Sequence, residues 1–294
     1  MRNLHKYYYK DYFSPGISFD DICKEEEKEK LPKTDVEGKE KLSKEISDIQ
    51  DNNKKIIKKR NEILTSGTFA KNETGKPLRD ELIIKNGISP TEHRFFLRIT
   101  YPGLVTGVGI EHEAKIEGEF KLGVHFDWTH GMPLVYGSSV KGMLRSAFKD
   151  GYVDASLIRD ANKNIKEEDN VPEWVGNPKF NKNLIEDIFE GKGKSIYDRD
   201  IFFDAVITNA DPKGRILCSD SITPHPGPLK NPTPITFLKI APGCLLEFRF
   251  KLTDSTINGE TFTASQKLTL FKEILTTVGV GAKTNVGYGQ LKSI

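Results

Sequence analysis

The chain is organised around a glycine-rich stretch, Gly279-Val280-Gly281-Ala282-Lys283-Thr284-Asn285-Val286-Gly287-Tyr288-Gly289. Glycine allows a positive φ and lets a ligand come close to the main chain. Successive exposed backbone N–H groups can then form a concave anion site, to which Lys283 adds a positive charge. The stretch therefore predicts a loop that holds phosphate groups, although a tight turn without a ligand has the same composition.

Two familiar nucleotide-binding loops do not fit this stretch. A Walker loop has a glycine directly before its lysine, whereas Ala282 precedes Lys283. A Rossmann loop follows a first strand and opens a helix, whereas this loop follows a predicted helix and leads into a short strand. ATP and dinucleotides are therefore excluded and no cofactor is predicted, which leaves the phosphate backbone of a polymer. The expected contact residues are Gly279, Gly281, Lys283, Thr284, Asn285, Gly287, Tyr288 and Gly289, with Tyr288 either stacking on a base or filling the core.

A second candidate phosphate site is a predicted helix start in the run Gly137-Ser138-Ser139-Val140-Lys141-Gly142-Met143-Leu144-Arg145. Ser138 or Ser139 is a favourable N-cap. Lys141 and Arg145 are four residues apart and therefore share one face of the helix. Free N–H groups at a helix N-terminus, beside hydroxyls and two cations, bind phosphate. An ordinary capped helix with two solvated cations is the alternative.

Composition limits the class of protein. The chain has 294 residues, a net charge of +2 and a mean hydropathy of −0.48. This length allows one large domain or two small ones. No apolar run approaches the ~20 residues of a membrane span, and the three separated cysteines form no zinc motif and fit a reducing compartment. We therefore expect a cytoplasmic protein without membrane contact, in which any nucleic-acid site is a local patch.

The N-terminal part divides into two segments. Residues 1–19 are rich in aromatic side chains, which either pack on the main body or stack on bases. Residues 20–93 are predicted to be a charged helical insertion and linker, because apolar residues recur at helical spacing over 20–66 and a stretch with glycine and proline follows. We expect the 20–66 helix to dock or to face solvent, and to be dispensable for binding nucleic acid.

Residues 94–294 are predicted to form an α+β body of two tandem ferredoxin-like (RRM-like) units. The predicted strands are 94–101, 120–126, 200–207, 216–222, 235–240 and 245–252, the last two as a pair, and the predicted helices are 138–148, 184–190 and 264–278. In this arrangement we expect the helix start at Ser138 and the 279–289 loop to converge on one stretch of nucleic acid.

The helix start and the glycine-rich stretch together resemble the paired motifs of the RAMP superfamily of CRISPR-associated proteins. Further stretches are similar to the sixth-subunit group of the type III-B Cmr effector complex, namely 3–9, 107–113, 203–205, 220–225 and 234–238. The resemblance covers roughly residues 94–294 and the first dozen residues. Tyr136 departs from the pattern, because the family usually has proline before its Gly-Ser-Ser.

The resemblance implies a RAMP-type fold and a non-catalytic subunit that binds guide RNA near its 3′ end. The implied partners are the CRISPR guide RNA, the target RNA, and the backbone and tip subunits of the Cmr complex. The subunit would help to hold the guide–target duplex, in which base pairing reads sequence and protein reads backbone and shape.

A ribonuclease that cleaves target RNA or processes the guide is the alternative function. Target cleavage in these complexes is attributed to a metal-dependent aspartate of the backbone subunits, and residues 107–113 contain Glu111, His112 and Glu113 but no aspartate. His112 contacts RNA, acts as a general acid or base, or caps the turn. His125 and His130, which flank Asp127, match no recognised metal-site spacing, and no metal is predicted.

Overall fold

Strands and helices of a mixed α+β fold follow one another along the chain. The computed structural model describes residues 4–13, 15–66, 93–107, 116–120, 123–129, 131–223 and 234–294. The strands are β1 His93–Ile99, β2 His125–Phe126, β3 Pro133–Val135, β4 Ile201–Phe202, β5 Ala205–Asn209, β6 Leu217–Ile222, β7 Ile235–Ile240, β8 Leu245–Lys251, β9 Ser255–Ile257, β10 Glu260–Phe262 and β11 Leu291–Ser293. The α-helices are α1 Asp20–Lys30, α2 Val36–Thr65, α3 Gly137–Lys149, α4 Ala155–Ala161, α5 Pro178–Leu184 and α6 Ala264–Val278. Shorter helical turns are Leu4–Lys6, Tyr7–Asp11, Glu167–Asp169, Glu173–Gly176, Ile185–Glu190, Ile196–Asp198 and Thr284–Val286.

One antiparallel sheet forms the centre of the molecule. Its strands follow the order β11-β1-β8-β5-β3-β2, and β4 pairs with the end of β8. Strands β6 and β7 form a separate hairpin, as do β9 and β10. Strands β1, β5, β8 and β11, with α3 between β1 and β5 in the chain and α6 between β8 and β11, have the β-α-β-β-α-β order of a ferredoxin-like unit.

The predicted α+β class with an N-terminal charged helical element is confirmed. The described strands complete one ferredoxin-like unit. Strands β2 and β3 extend the same sheet beyond β5, so a second closed unit is not seen in the described ranges.

Side chains of the central strands alternate between the two faces of the sheet. Phe250 of β8 faces the helices, and its ring centroid lies 5.7 Å from that of Phe271 in α6. Glu247 and Arg249 of β8 point to the opposite face, and Arg249 lies directly across from Arg94 of β1 in register. The helix-facing side therefore carries the apolar core, whereas the other side carries charge.

The N-terminal segment packs on this body. Tyr8 and Tyr12 are buried, and the Tyr8 hydroxyl donates to the Phe120 carbonyl at 2.5 Å. Ile57 and Leu64 of α2 belong to the same hydrophobic core as the central sheet. Packing of the aromatic segment and docking of the charged helix are thus confirmed for these residues, and the helical region consists of two helices, α1 and α2.

Several element predictions differ from the structure. The predicted 200–207 strand is interrupted after Phe202: β4 and β5 both pair with β8, but their register on β8 differs by one residue. The predicted pairing of the strands near 235–240 and 245–252 is wrong: β7 pairs with β6, while β8 enters the central sheet. The predicted helix at 184–190 is the end of a longer helical stretch that begins with α5. The predicted helix over 264–278 is confirmed, and the Thr263 and Gln266 side chains cap its start reciprocally.

Candidate nucleic-acid interface

The glycine-rich stretch, called the glycine loop below, joins α6 to β11 and packs against the chain that follows β1. The Ala282 amide donates to the Val105 carbonyl at 2.7 Å, and the Gly289 amide donates to the Gly103 carbonyl at 2.8 Å. Gly281 has φ +91°, and a Cβ there would lie 2.4 Å from the Val105 oxygen. This glycine is therefore required for close packing inside the protein, rather than for the approach of a ligand.

A short outward turn remains available in the glycine loop. Lys283 has φ +60° and precedes the helical turn Thr284–Val286. The amides of Lys283, Thr284 and Asn285 have no hydrogen-bond partner in the described parts of the chain. The Lys283 and Asn285 side chains are exposed. Adjacent free N–H groups beside an exposed ammonium form a small anion-binding surface.

Tyr288 has a structural role. It is 8% exposed, and its hydroxyl donates to Asp220 Oδ2 at 2.7 Å. Lys239 pairs with the same carboxylate, and its Nζ lies 5.5 Å from the Tyr288 ring centroid. Burial and the bond to Asp220 raise the pKa of Tyr288 to about 12. Of the two roles predicted for Tyr288, packing is the one that the structure shows, and it ties the glycine loop to the β6–β7 hairpin.

Tyr101 is an exposed aromatic residue at this end of the sheet. The sequence predicted it only as the last residue of the strand 94–101. It follows β1, is 86% exposed, and precedes the Pro102-Gly103 segment that receives the Gly289 amide. An exposed ring beside an anion-binding turn is suited to stacking on a base. The signal in the sequence was an aromatic residue directly before Pro-Gly, where a strand must stop.

The start of α3 is capped differently from the prediction. The helix begins at Gly137 after Tyr136, and neither Ser138 nor Ser139 caps it. Instead, Asp204 Oδ1 accepts the Gly137 amide at 2.6 Å. A Cβ on Gly137 would lie 2.2 Å from the Phe202 carbonyl oxygen, so the helix start is pressed against the break between β4 and β5. The Gly137 amide, which was expected to be free to bind a phosphate, is thus already hydrogen-bonded to the Asp204 carboxylate.

The two cations of α3 have different surroundings. Lys141 Nζ lies 5.8 Å from the Phe202 ring centroid. Arg145 forms a 2.8 Å ion pair with Glu190, and both side chains are about half exposed, at 46% and 45%. Ser138 and Ser139 are exposed. Contact of these four residues with nucleic acid stays a prediction.

The structure does not bring the two predicted phosphate sites together. The start of α3 contacts Phe202, which pairs with Phe250 near the end of β8. The glycine loop lies beside the residues that follow β1. The end of β1 pairs with Leu245 at the start of β8. Since a strand rises about 3.3 Å per residue, the five steps from 245 to 250 separate the sites by roughly 16 Å. A single phosphate therefore cannot contact both sites, because the β2–β3 hairpin carries the chain to the opposite end of the sheet before α3 begins. Contact of both sites with one RNA strand stays a prediction.

The histidine predictions fall partly outside the described residues. This applies to His112, the predicted RNA contact, and to His130, so neither is assigned a position. The His125 ring packs against that of Tyr136 with centroids 4.8 Å apart, and burial lowers the pKa of His125. Among the residues that the structure describes, no group of three His, Cys, Asp or Glu side chains is arranged to hold a metal ion.

Comparisons with known proteins place the sequence in a family. The sequence model of the RAMP superfamily matches residues 96–292. No curated protein matches the chain. A cryo-EM structure of the type III-B Cmr-beta complex bound to cognate target RNA contains a chain with 18% identity and a TM-score of 0.49, over 89% of this chain and 76% of that chain. The crystal structure of Cmr6 from Pyrococcus furiosus has 22% identity and a TM-score of 0.36, over 69% of this chain and 98% of that chain. No helix in the described ranges is long and apolar enough to cross a membrane.

Proposed function

Because this chain belongs to the RAMP superfamily, we propose that it is a non-catalytic guide-RNA-binding subunit of a type III-B CRISPR effector complex. In this role it lies near the 3′ end of the guide, beside the backbone and tip subunits, and helps to hold the guide–target duplex. Pairing between the RNA strands reads the sequence, and the protein holds the RNA by its backbone and shape.

The observation that carries this proposal is the outward turn of the glycine loop. Three consecutive amides, at residues 283–285, lack partners in the described chain, and exposed Lys283 lies among them. An RNA phosphate offers several acceptor oxygens and a negative charge, which these donors match. Such contacts are independent of base identity, as a subunit that accepts many guide sequences requires.

Exposed Tyr101 complements the phosphate contacts. Its position beside the glycine loop allows an unpaired base to stack while the neighbouring phosphate lies on the turn. Stacking on an aromatic ring contributes about 1–3 kcal/mol per base and tolerates any sequence. With a net charge of only +2, the isolated chain is expected to bind RNA weakly at physiological salt and to rely on neighbouring subunits.

The test measures binding of single-stranded guide RNA to the full chain over a range of salt concentrations. Lys283→Ala is expected to weaken binding across guide sequences and to lower the salt slope by about 0.7, as loss of one phosphate contact on a single strand does. Tyr101→Ala is expected to weaken binding without changing the slope. Lys149→Ala, an exposed lysine at the end of α3, is the control. Unchanged affinity and slope in folded Lys283→Ala would exclude the glycine loop as a phosphate contact.

The ribonuclease alternative is tested separately. The purified chain is incubated with guide and target RNA, with and without Mg²⁺, and the products are resolved by size. We expect both RNAs to stay intact. Specific cleavage that a single His or Asp substitution abolishes would make the chain an enzyme and overturn the non-catalytic assignment.

A further inference from the structure

An arginine without a partner lies within the charged face of the central sheet. Arg249 of β8 is 9% exposed, and no hydrogen bond or ion pair to its guanidinium is found in the described chain. Its Nε atom is fully buried without an acceptor. Burying a charge is costly unless the charge is paired, and among the described residues this guanidinium has no ion-pair partner.

The neighbouring strand increases this imbalance. Arg94 of β1 lies directly opposite Arg249 in the antiparallel register, and like charges in that position repel. The nearby carboxylate is Glu247, which Arg94 Nη1 contacts at 3.2 Å. Glu247 Oε1 therefore pairs with the exposed Arg94, whereas its buried Oε2 has no hydrogen-bond partner. No ion pair joins Glu247 to the buried Arg249 among the described residues. The three groups carry a net charge of +1, because two guanidinium groups face one carboxylate.

An anion bound from solution would pair with Arg249 and would also reduce its repulsion with Arg94. It would accept from Arg249 and screen it from Arg94, and Arg94 is 43% exposed, so the cluster is reachable from solvent. A phosphodiester matches a guanidinium group through two parallel N–H···O bonds. Lys251, the next residue of β8 on this face, donates to the Tyr197 carbonyl at 2.7 Å. Tyr197 is 76% exposed, which adds an aromatic residue near the same end of β8.

We infer that the sheet face carrying Arg94 and Arg249 is a second RNA-contact surface, which binds a backbone phosphate through Arg249. This inference rests on the proposed function and extends it to a site away from the glycine loop. Arg249 lies four residues into β8, towards the end where β4 pairs, whereas the glycine loop lies at the start of β8. One RNA strand that touches both would therefore cross the sheet face.

The experiment compares full-length Arg249→Gln and Arg249→Lys with the unmodified chain, using fluorescently labelled single-stranded RNA over a range of salt concentrations. Arg159→Gln is the matched control, because Arg159 is an exposed arginine on α4. We expect Arg249→Gln to bind about ten-fold more weakly and to lower the salt slope by about 0.7. Arg249→Lys should restore the slope, since it restores the charge, and Arg159→Gln should match the unmodified chain.

Thermal unfolding gives a second readout that needs no RNA. At equal ionic strength, inorganic phosphate should raise the Tm of the unmodified chain relative to chloride, and this rise should be smaller in Arg249→Gln than in Arg159→Gln. Normal RNA affinity and slope in Arg249→Gln, with a folded chain, would overturn this inference alone. Failure of the unmodified chain to bind any RNA would overturn the proposed function and this inference with it. Loss of assembly with partner subunits while RNA binding is intact would make the face a protein contact and overturn the inference.

Discussion

Replacing Gly281 with alanine separates the structural role of the glycine loop from its proposed binding role. Gly281 has φ +91°, and an added Cβ would lie 2.4 Å from the Val105 carbonyl oxygen. That oxygen accepts the Ala282 amide at 2.7 Å, which joins the loop to the chain after β1. Gly287 is the matched control: its φ is +96°, and its added Cβ would meet only the Pro102 ring, at 3.8 Å.

The two substitutions share one cost and differ in another. A left-handed conformation costs a non-glycine residue about 1–2 kcal/mol at either position. Gly281→Ala additionally forces the loop away from Val105, and a buried carbonyl without its donor costs about 1–3 kcal/mol more. We therefore expect a loss of unfolding free energy of about 2–5 kcal/mol for Gly281→Ala and about 1–2 kcal/mol for Gly287→Ala.

Urea unfolding of both variants at neutral pH measures this difference, and RNA binding is measured under folding conditions. Gly281→Ala should lose RNA affinity only in proportion to the unfolded fraction, because its neighbour is protein backbone. Equal stabilities of the two variants would refute the packing argument. A well-folded Gly281→Ala that binds RNA poorly would instead show that the ligand approaches the main chain at this glycine.

Three further predictions concern other parts of the structure. Tyr288→Phe should lower the unfolding free energy by about 1.5–3 kcal/mol, because it removes a hydrogen bond to a carboxylate. The pKa of Tyr288 is raised to about 12 in the folded chain. The contribution of its hydroxyl to the free energy of unfolding is therefore complete below about pH 10 and is lost as the pH rises through 12. Urea titrations of Tyr288→Phe should not show this loss at alkaline pH. Ile57→Ala should lower the free energy of unfolding by about 2–5 kcal/mol, because Ile57 is fully buried. The control Ile22→Ala, at a residue that is 53% exposed, should change it by under about 0.5 kcal/mol. Equal losses in the two variants would contradict the docking of α2. A thiol reagent should modify exposed Cys23 in the folded protein and reach Cys244 only after unfolding, because Cys244 is buried and burial raises its pKa to about 12; rapid modification of Cys244 in the native state would contradict its burial.

The docking of α2 changes how the charged N-terminal region must be tested. Deleting residues 20–66 would remove Ile57 and Leu64 from the core, so lost RNA binding would report unfolding. Neutralising exposed lysines of α2, such as Lys55 and Lys58, tests instead whether the region is dispensable for RNA affinity, as the sequence predicts. We expect unchanged affinity.

The sequence by itself determined the elements whose signals are local. The helix 264–278 was predicted with the boundaries seen, because its 3.6-residue apolar period lies within one element. Strand β1 followed from a bounded apolar run that ends before Pro102. The glycine loop was recognised as a turn between a helix and a strand, and its paired motif carried the family resemblance that the match over residues 96–292 confirms.

Tertiary structure decided which elements meet. Apolar residues at every second position indicate that one face of a strand is buried, but they do not indicate which strand it pairs with. For this reason β7 and β8 were predicted to pair, although they lie in different sheets. The same limit applies to Asp204, which caps a helix that begins 67 residues earlier. It also applies to Arg94 and Arg249, which are far apart in the chain and lie opposite each other in the sheet. Pairing between distant segments depends on the closure of the whole sheet, and the charges, caps and separations that define the candidate RNA surfaces arise only at that step.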